Sequence, residues 1–135
     1  MRIMIDTNIL ISIAVFNSGK LGDLLNHICS NHILVLSSYA LEEFESVVKR
    51  KFPDKMAGVI KFLMKLPFEL EYTPYELPEH DYFTIRDKYD EPILYSAITA
   101  DVDVLITGDR DFFDVESERP EILSPAEFLA KYVLQ

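Results

Sequence analysis

"MRIMIDTNIL" (residues 1–10) holds an apolar run, Ile3 to Ile5, that stops on Asp6, Thr7 and Asn8 before apolar residues resume at Ile9. Arg2 to Ile5 has the length and content of a short buried strand. A helix N-cap accounts for one polar residue after a strand, but not for three. In sheets wound from alternating strands and helices, ligands bind just beyond the carboxyl ends of the strands. A polar break at such an end is expected if the rest of the chain alternates in that way.

It does. Thr7 to Phe16 reads as an apolar helix ended by Asn17-Ser18-Gly19, and Lys20 to Cys29 as a second helix with Leu21, Leu24, Leu25 and Ile28 at helical spacing. "HILVL" (32–36) is a strand, after which Ser37 or Ser38 caps a helix reaching Lys51. Pro53 opens a further helix to Leu66, Phe68 to Tyr72 alternates like a strand, and "TPYELPEHDYF" (73–83) is loop. Glu91-Pro92 starts a helix to Ala100, because proline suits the first helical position. "VDVLIT" (102–107) and "EIL" (121–123) are strands, and Ser124-Pro125 opens a last helix with Phe128, Leu129 and Tyr132 on its apolar face. The expectation is one α/β domain over residues 1–135, a three-layer α/β/α sandwich around a parallel sheet of four to five strands with right-handed crossovers.

The chain has 135 residues, 49% hydrophobic, which suits a globular domain and excludes a disordered one. No apolar run approaches the ~20 residues of a membrane helix, and Asp6 interrupts the only stretch that resembles a leader, so a cytoplasmic location and no membrane partner are expected. Cys29 is the single cysteine, which excludes an internal disulfide and a cysteine-rich zinc site. The net charge of −10 argues against nucleic acid, but its distribution is uneven. Lys49, Arg50, Lys51, Lys55, Lys61 and Lys65 face only Asp54, whereas the stretch from Glu69 to Glu91 is strongly acidic. A basic segment beside an acidic one suits a polyanion held near a metal-binding acid cluster. The plainer reading of the lysines is a solvated helix face.

Asp109 lies just past "VDVLIT", so if that strand neighbours the first, Asp109 and Asp6 converge on one crevice. On the helix "SSYALEEFESVVKRKF" the core stripe is Leu41, Phe44 and Val48. Glu42, Glu45 and Lys49 share the solvent side, and Glu43 sits with Ala40 and Val47 at the edge of the buried face. Asp90 heads the helix "EPILYSAITA" and either caps it or turns its carboxylate to the same crevice. Asp111 stands ready to join the group. Carboxylates that share a site repel, by ~4 kcal/mol at ~4 Å and an effective dielectric of ~20, so the cluster rises in pKa or takes up cations. Oxygen ligands without His or Cys select Mg²⁺ or Mn²⁺, and His27, His32 and His80 show no ligand spacing. Such ions support phosphodiester hydrolysis.

"MIDTNIL", "LSSYALEEFESVV", "DEPILYSAITADVDVLITGDRDFF" and "EILSPAEFL" together resemble a PIN (PilT N-terminus) domain, in the prokaryotic stand-alone or VapC-toxin-like branch. The resemblance spans essentially the whole chain and implies a metal-dependent ribonuclease on a central parallel sheet. It carries the family's acidic cluster onto Asp6, Glu43, Asp90 and Asp109 as catalytic and metal-binding residues, with Asp111 as a further metal-binding acid. Asn8 and Thr107 match its supporting polar positions, and Glu91 and Asp87 compete with Asp90 for the third place. It implies an RNA substrate, a Mg²⁺ or Mn²⁺ cofactor, an antitoxin partner and a homodimer. The basic triplet Lys49, Arg50 and Lys51 is the candidate nucleic-acid contact.

A second reading is non-enzymatic: a nucleic-acid- or protein-binding module whose acids hold metal structurally. A phosphoacceptor receiver also has acids at strand ends, but it needs a paired acid beside Asp6 and a lysine after a late strand, and neither is present. A DNA nuclease is a further reading of the same acids.

Overall fold

The structure is a computed structural model in which residues 1–80, 82–84, 88, 90–115 and 118–134 are described. The strands are β1 (Arg2–Ile5), β2 (Ile33–Ser37), β3 (Glu69–Glu71), β4 (Val104–Ile106) and β5 (Glu121–Leu123). The helices are α1 (Thr7–Ala14), α2 (Gly19–Asn31), α3 (Ser38–Lys51), α4 (Met56–Lys65), α5 (Glu91–Thr99) and α6 (Pro125–Phe128). The strands form one sheet in the order β3-β2-β1-β4-β5, with every pairing parallel. Met4 stands level with Val35 on one side and Leu105 on the other.

Alternation along the strands divides the core into two layers. Ile3, Ile5, Leu34, Leu36, Val104 and Ile106 point to one face, where Leu10, Ile28 and Phe44 of α1 to α3 and Phe128 of α6 cover them. Met4, Val35 and Leu105 point to the other, against Ile93, Leu94 and Ala97 of α5 and Phe112. This is the three-layer α/β/α sandwich read from the sequence.

The chain builds outward from β1 through β2 to β3, then returns to add β4 on β1's other side and β5 beyond it. The winding therefore reverses between β1 and β4. The carboxyl ends of these two strands flank the crevice of a doubly wound sheet.

Several boundaries move inward from the sequence reading. The first helix ends at Ala14 rather than Phe16, and Asn17 takes a left-handed conformation with φ of 53° that no helix continues through. Pro53 opens a short 3₁₀ turn, Pro53–Lys55, before α4 begins. The last helix keeps Ser124 as its cap, in a reciprocal capping box with Glu127, but after four residues it widens into a π turn over Leu129–Val133. Phe128 is fully buried, while Leu129 and Tyr132 pack at the core's edge. A 3₁₀ turn over Arg110–Asp114, unread in the sequence, follows β4. No helix among the described residues is long and apolar enough to cross a membrane.

Candidate active site

Asp6 leaves β1 at the switch point. Its backbone N–H donates to the Ile106 carbonyl at 3.2 Å, which ties the ends of β1 and β4 together. Its side chain is 3% exposed. One carboxylate oxygen caps α1 by accepting from the Ile9 N–H at 3.1 Å, and the other accepts from the Thr107 hydroxyl. Asp6 is thus both the helix cap and the crevice acid that the sequence offered as alternatives. Burial pushes its carboxyl above the ordinary range. The Thr107 hydroxyl and the Ile9 and Asn8 amides pull it back down, and the Asp109 carboxylate pushes it up again.

Thr107 is fully buried and does two jobs. Its hydroxyl donates to Asp6 and accepts from the Asp109 N–H at 3.0 Å. A hydroxyl has one proton to give and lone pairs to receive, so both roles are met at once. The Asp109 carboxylate in turn accepts the Asp111 N–H at 2.9 Å and opens the 3₁₀ turn. A continuous chain of hydrogen bonds, Asp6 to Thr107 to Asp109 to Asp111, runs from the buried floor of the crevice to its rim.

Asp90 sits at the N-cap position of α5, but its side chain makes no capping hydrogen bond there. One oxygen each of Asp90, Asp109 and Asp111 lie within 4.8 Å of one another, and all three residues are half-buried. Carboxylates this close repel one another, a repulsion that a bound cation would relieve, and an all-oxygen donor set suits a hard divalent cation. The residues therefore fit a divalent cation. Glu91, a competitor for Asp90's place, is engaged elsewhere: its carboxylate meets His80 Nε2 at 3.1 Å. Asp87, the other competitor, lies outside the described residues.

Glu43 is half-buried on α3 between exposed Glu42 and fully buried Phe44, at the inward edge the helix geometry predicted. It is not part of the Asp90–Asp109–Asp111 trio. The Asn8 side chain is exposed, and its backbone N–H reaches the Asp6 carboxylate. Lys49, Arg50 and Lys51 are exposed in the last turn of α3, where cations also complement the helix dipole. They lie about 9–12 Å along the axis from Glu43, at 1.5 Å per residue.

The segment between β3 and α5 reads from the sequence as loop over residues 73–83, and its side chains tie to α3 and α5. Thr73 is pinned between α3 and α5: its N–H donates to Ser38 Oγ at 2.8 Å, and its hydroxyl shares a buried 2.6 Å hydrogen bond with Ser96. Tyr75 donates to Glu42 at 3.0 Å. His80, expected to be structural or exposed, is buried among Tyr82, Phe83 and Tyr95. These partners are far apart in sequence, and no local pattern signals them.

A doubly wound parallel sheet whose switch point is lined by a hydrogen-bonded series of aspartates defines an α/β protein with an acidic, cation-fitting site. The family model for the PIN domain matches residues 2–111, a span containing Asp6, Glu43, Asp90, Asp109 and Asp111, and this chain belongs to the PIN domain family. Among solved structures, VapBC2 from Rickettsia felis bound to a DNA fragment from its promoter is similar with a TM-score of 0.69 at 18% identity, covering 92% of this chain and 98% of that one. Mycobacterium tuberculosis VapC20, a Sarcin-Ricin loop cleaving toxin, is similar with a TM-score of 0.54 at 10% identity, covering 82% and 92%. At these identities the likeness is one of fold. No curated protein matches the sequence.

Proposed function

We propose that this chain is a divalent-metal-dependent endoribonuclease of the toxin type, restrained by an antitoxin and acting as a homodimer. The observation that carries the reading is the trio Asp90, Asp109 and Asp111, with oxygens within 4.8 Å of one another beside buried Asp6 at the sheet's switch point. In this reading Asp90, Asp109 and Asp111 hold Mg²⁺ or Mn²⁺, and Asp6 and Glu43 complete the catalytic acids. Asn8 and Thr107 support them. The cation supplies positive charge that polarises a phosphodiester and makes water a stronger nucleophile. Thr107 fixes Asp109 relative to Asp6, and the Asp111 N–H orients the Asp109 carboxylate. The antitoxin and RNA parts of the proposal take their direction from the family resemblance of the sequence, and they accord with a fold shared with VapBC2 and with VapC20, a Sarcin-Ricin loop cleaving toxin.

The deciding experiment is Asp6→Asn, assayed for cleavage of RNA and of single-stranded DNA with and without Mg²⁺ or Mn²⁺. The parent is expected to cleave RNA only with metal. The variant should lose that activity by orders of magnitude while melting at the parent's temperature or above, because a carboxylate held above its ordinary pKa by burial costs stability when ionised. A parent that binds the metal without cleaving either polymer would instead identify a non-catalytic binding module.

A further inference from the structure

Asp90 stands at the N-cap position of α5, yet its carboxylate caps nothing there and lies instead with Asp109 and Asp111. A helix start leaves N–H groups that a capping side chain would normally satisfy. The backbone bonds at this end are also long. Glu91 N–H reaches the Lys88 carbonyl and Leu94 N–H the Asp90 carbonyl, both at 3.3 Å. The first turn of α5 is held from outside instead, by His80. The His80 side chain is only 7% exposed, and its Nε2 donates to the Glu91 carboxylate at 3.1 Å. Its ring packs on Phe83 and Tyr95, at 4.8 and 5.2 Å between centroids, and Tyr82 stacks over it. Glu91 and Tyr95 are one turn apart on one face of α5, so the imidazole grips the helix at two successive levels. His80 Nδ1 is buried with no hydrogen-bond partner among the described residues, which leaves Glu91 as the ring's polar anchor.

We propose that His80 is a positioning residue of the cation site: by clamping Glu91 it fixes the adjoining Asp90 and so sets the affinity of the aspartate trio for a divalent cation. The inference rests on the reading of the trio as a cation site. Without a cation, repulsion among the three carboxylates drives Asp90 away from Asp109 and Asp111. Asp90 can yield only if the start of α5 yields with it, and that start has no capping side chain to stiffen it. The peptide bond between Asp90 and Glu91 transmits the grip of His80 to the point where the strain acts. Ligands held in place before the cation arrives lose less freedom on binding it, which raises affinity. The same bond occupies the Glu91 carboxylate, so that the choice of ligand falls on Asp90. The buried bond between Ser96 and Thr73 also ties α5 down, but it lies beyond the first turn and serves as a control for stability alone.

The test is Mn²⁺ binding to the full chain, measured by titration calorimetry, beside urea unfolding in chelator. His80→Leu should raise the Mn²⁺ dissociation constant about 10- to 100-fold, the usual effect of removing a group that orients a metal ligand. His80→Gln, whose amide N–H can replace Nε2 as donor to Glu91, should recover most of the affinity. In a Glu91→Leu background, His80→Leu should add nothing, because the bond it removes is already gone. Ser96→Ala should lose stability in chelator and keep the parent's Mn²⁺ affinity. If the parent binds Mn²⁺ and His80→Leu binds it equally well, or if His80→Leu weakens binding as much with Glu91 absent as with it present, the positioning role is overturned and the cation site stands. Equal weakening by Ser96→Ala and His80→Leu would overturn it too, by making the effect one of general stability. Should His80→Leu not fold, Glu91→Leu against Glu91→Gln decides: both lose the charge, and only Gln keeps an oxygen to accept from Nε2, so equal affinities overturn the proposal. A parent that does not bind Mn²⁺ overturns the cation site and the proposal with it.

Discussion

Replacing Thr107 with valine keeps the shape of a fully buried side chain and removes one hydroxyl. Two hydrogen bonds go with it: the donation to Asp6 and the acceptance from the Asp109 N–H at 3.0 Å. A bond to a buried charged acceptor contributes about 1.5–3 kcal/mol and a neutral one about 0.5–1.5 kcal/mol. Asp109 is half-buried, so water replaces part of the second. The expected loss near neutral pH is about 2–3 kcal/mol, a large share of the roughly 5–15 kcal/mol of a typical domain. The loss depends on pH with a definite sign. Asp6 already stands above its ordinary value of 3.8, chiefly through burial, and the Thr107 hydroxyl is the largest influence lowering it. The variant's Asp6 therefore titrates higher still. An acid whose folded pKa is raised costs stability above that pKa, and the cost disappears as pH falls through it toward the unfolded value. The deficit of Thr107→Val should accordingly shrink between neutrality and about pH 4 as Asp6 takes up its proton. Urea unfolding at several pH values with chelator present measures this, provided the m-value is unchanged. A deficit below about 0.5 kcal/mol near neutrality, the range of ordinary surface substitutions, would refute the bridge between Asp6 and Asp109. A deficit equal at every pH would refute its electrostatic origin.

Mg²⁺ or Mn²⁺ at about one hundred times its dissociation constant should raise the unfolding free energy by about 2.7 kcal/mol. Asp109→Asn with Asp111→Asn should abolish that gain, and calorimetric melts with and without metal read both. Replacing Lys49, Arg50 and Lys51 together with alanine should weaken RNA binding and flatten its dependence on salt, because each lost phosphate contact removes counterion release. Metal-induced stabilisation should survive in the same variant. Binding across a salt series decides it, and identical slopes for parent and variant would make the triplet a solvated helix end.

The alternation of strands and helices was legible from residue order, because side-chain period is a local property. The same locality made Asp6 and Asp109 readable as crevice acids, since each ends a strand of a parallel sheet, and placed Glu43 at the inner edge of its helix. Helix ends were less legible: the Asn17-Ser18-Gly19 stop was read, but α1 already ends at Ala14, and nothing in the sequence marked the π turn after Phe128. The sequence placed Asp90 in the site through the family resemblance alone, with Asp87 and Glu91 as competitors, because the three acids lie within five residues of one another. Tertiary contact separated the last two, giving Glu91 to His80 and leaving Asp90 to Asp109 and Asp111. The double role of Thr107 is likewise invisible in "LITGD", since its partner Asp6 lies 101 residues away. Which residue types stand at the strand ends is readable along the chain, because it depends on near neighbours. Which carboxylates meet and which are already engaged emerges only from the folded arrangement, because hydrogen bonds and charge repulsion act through space.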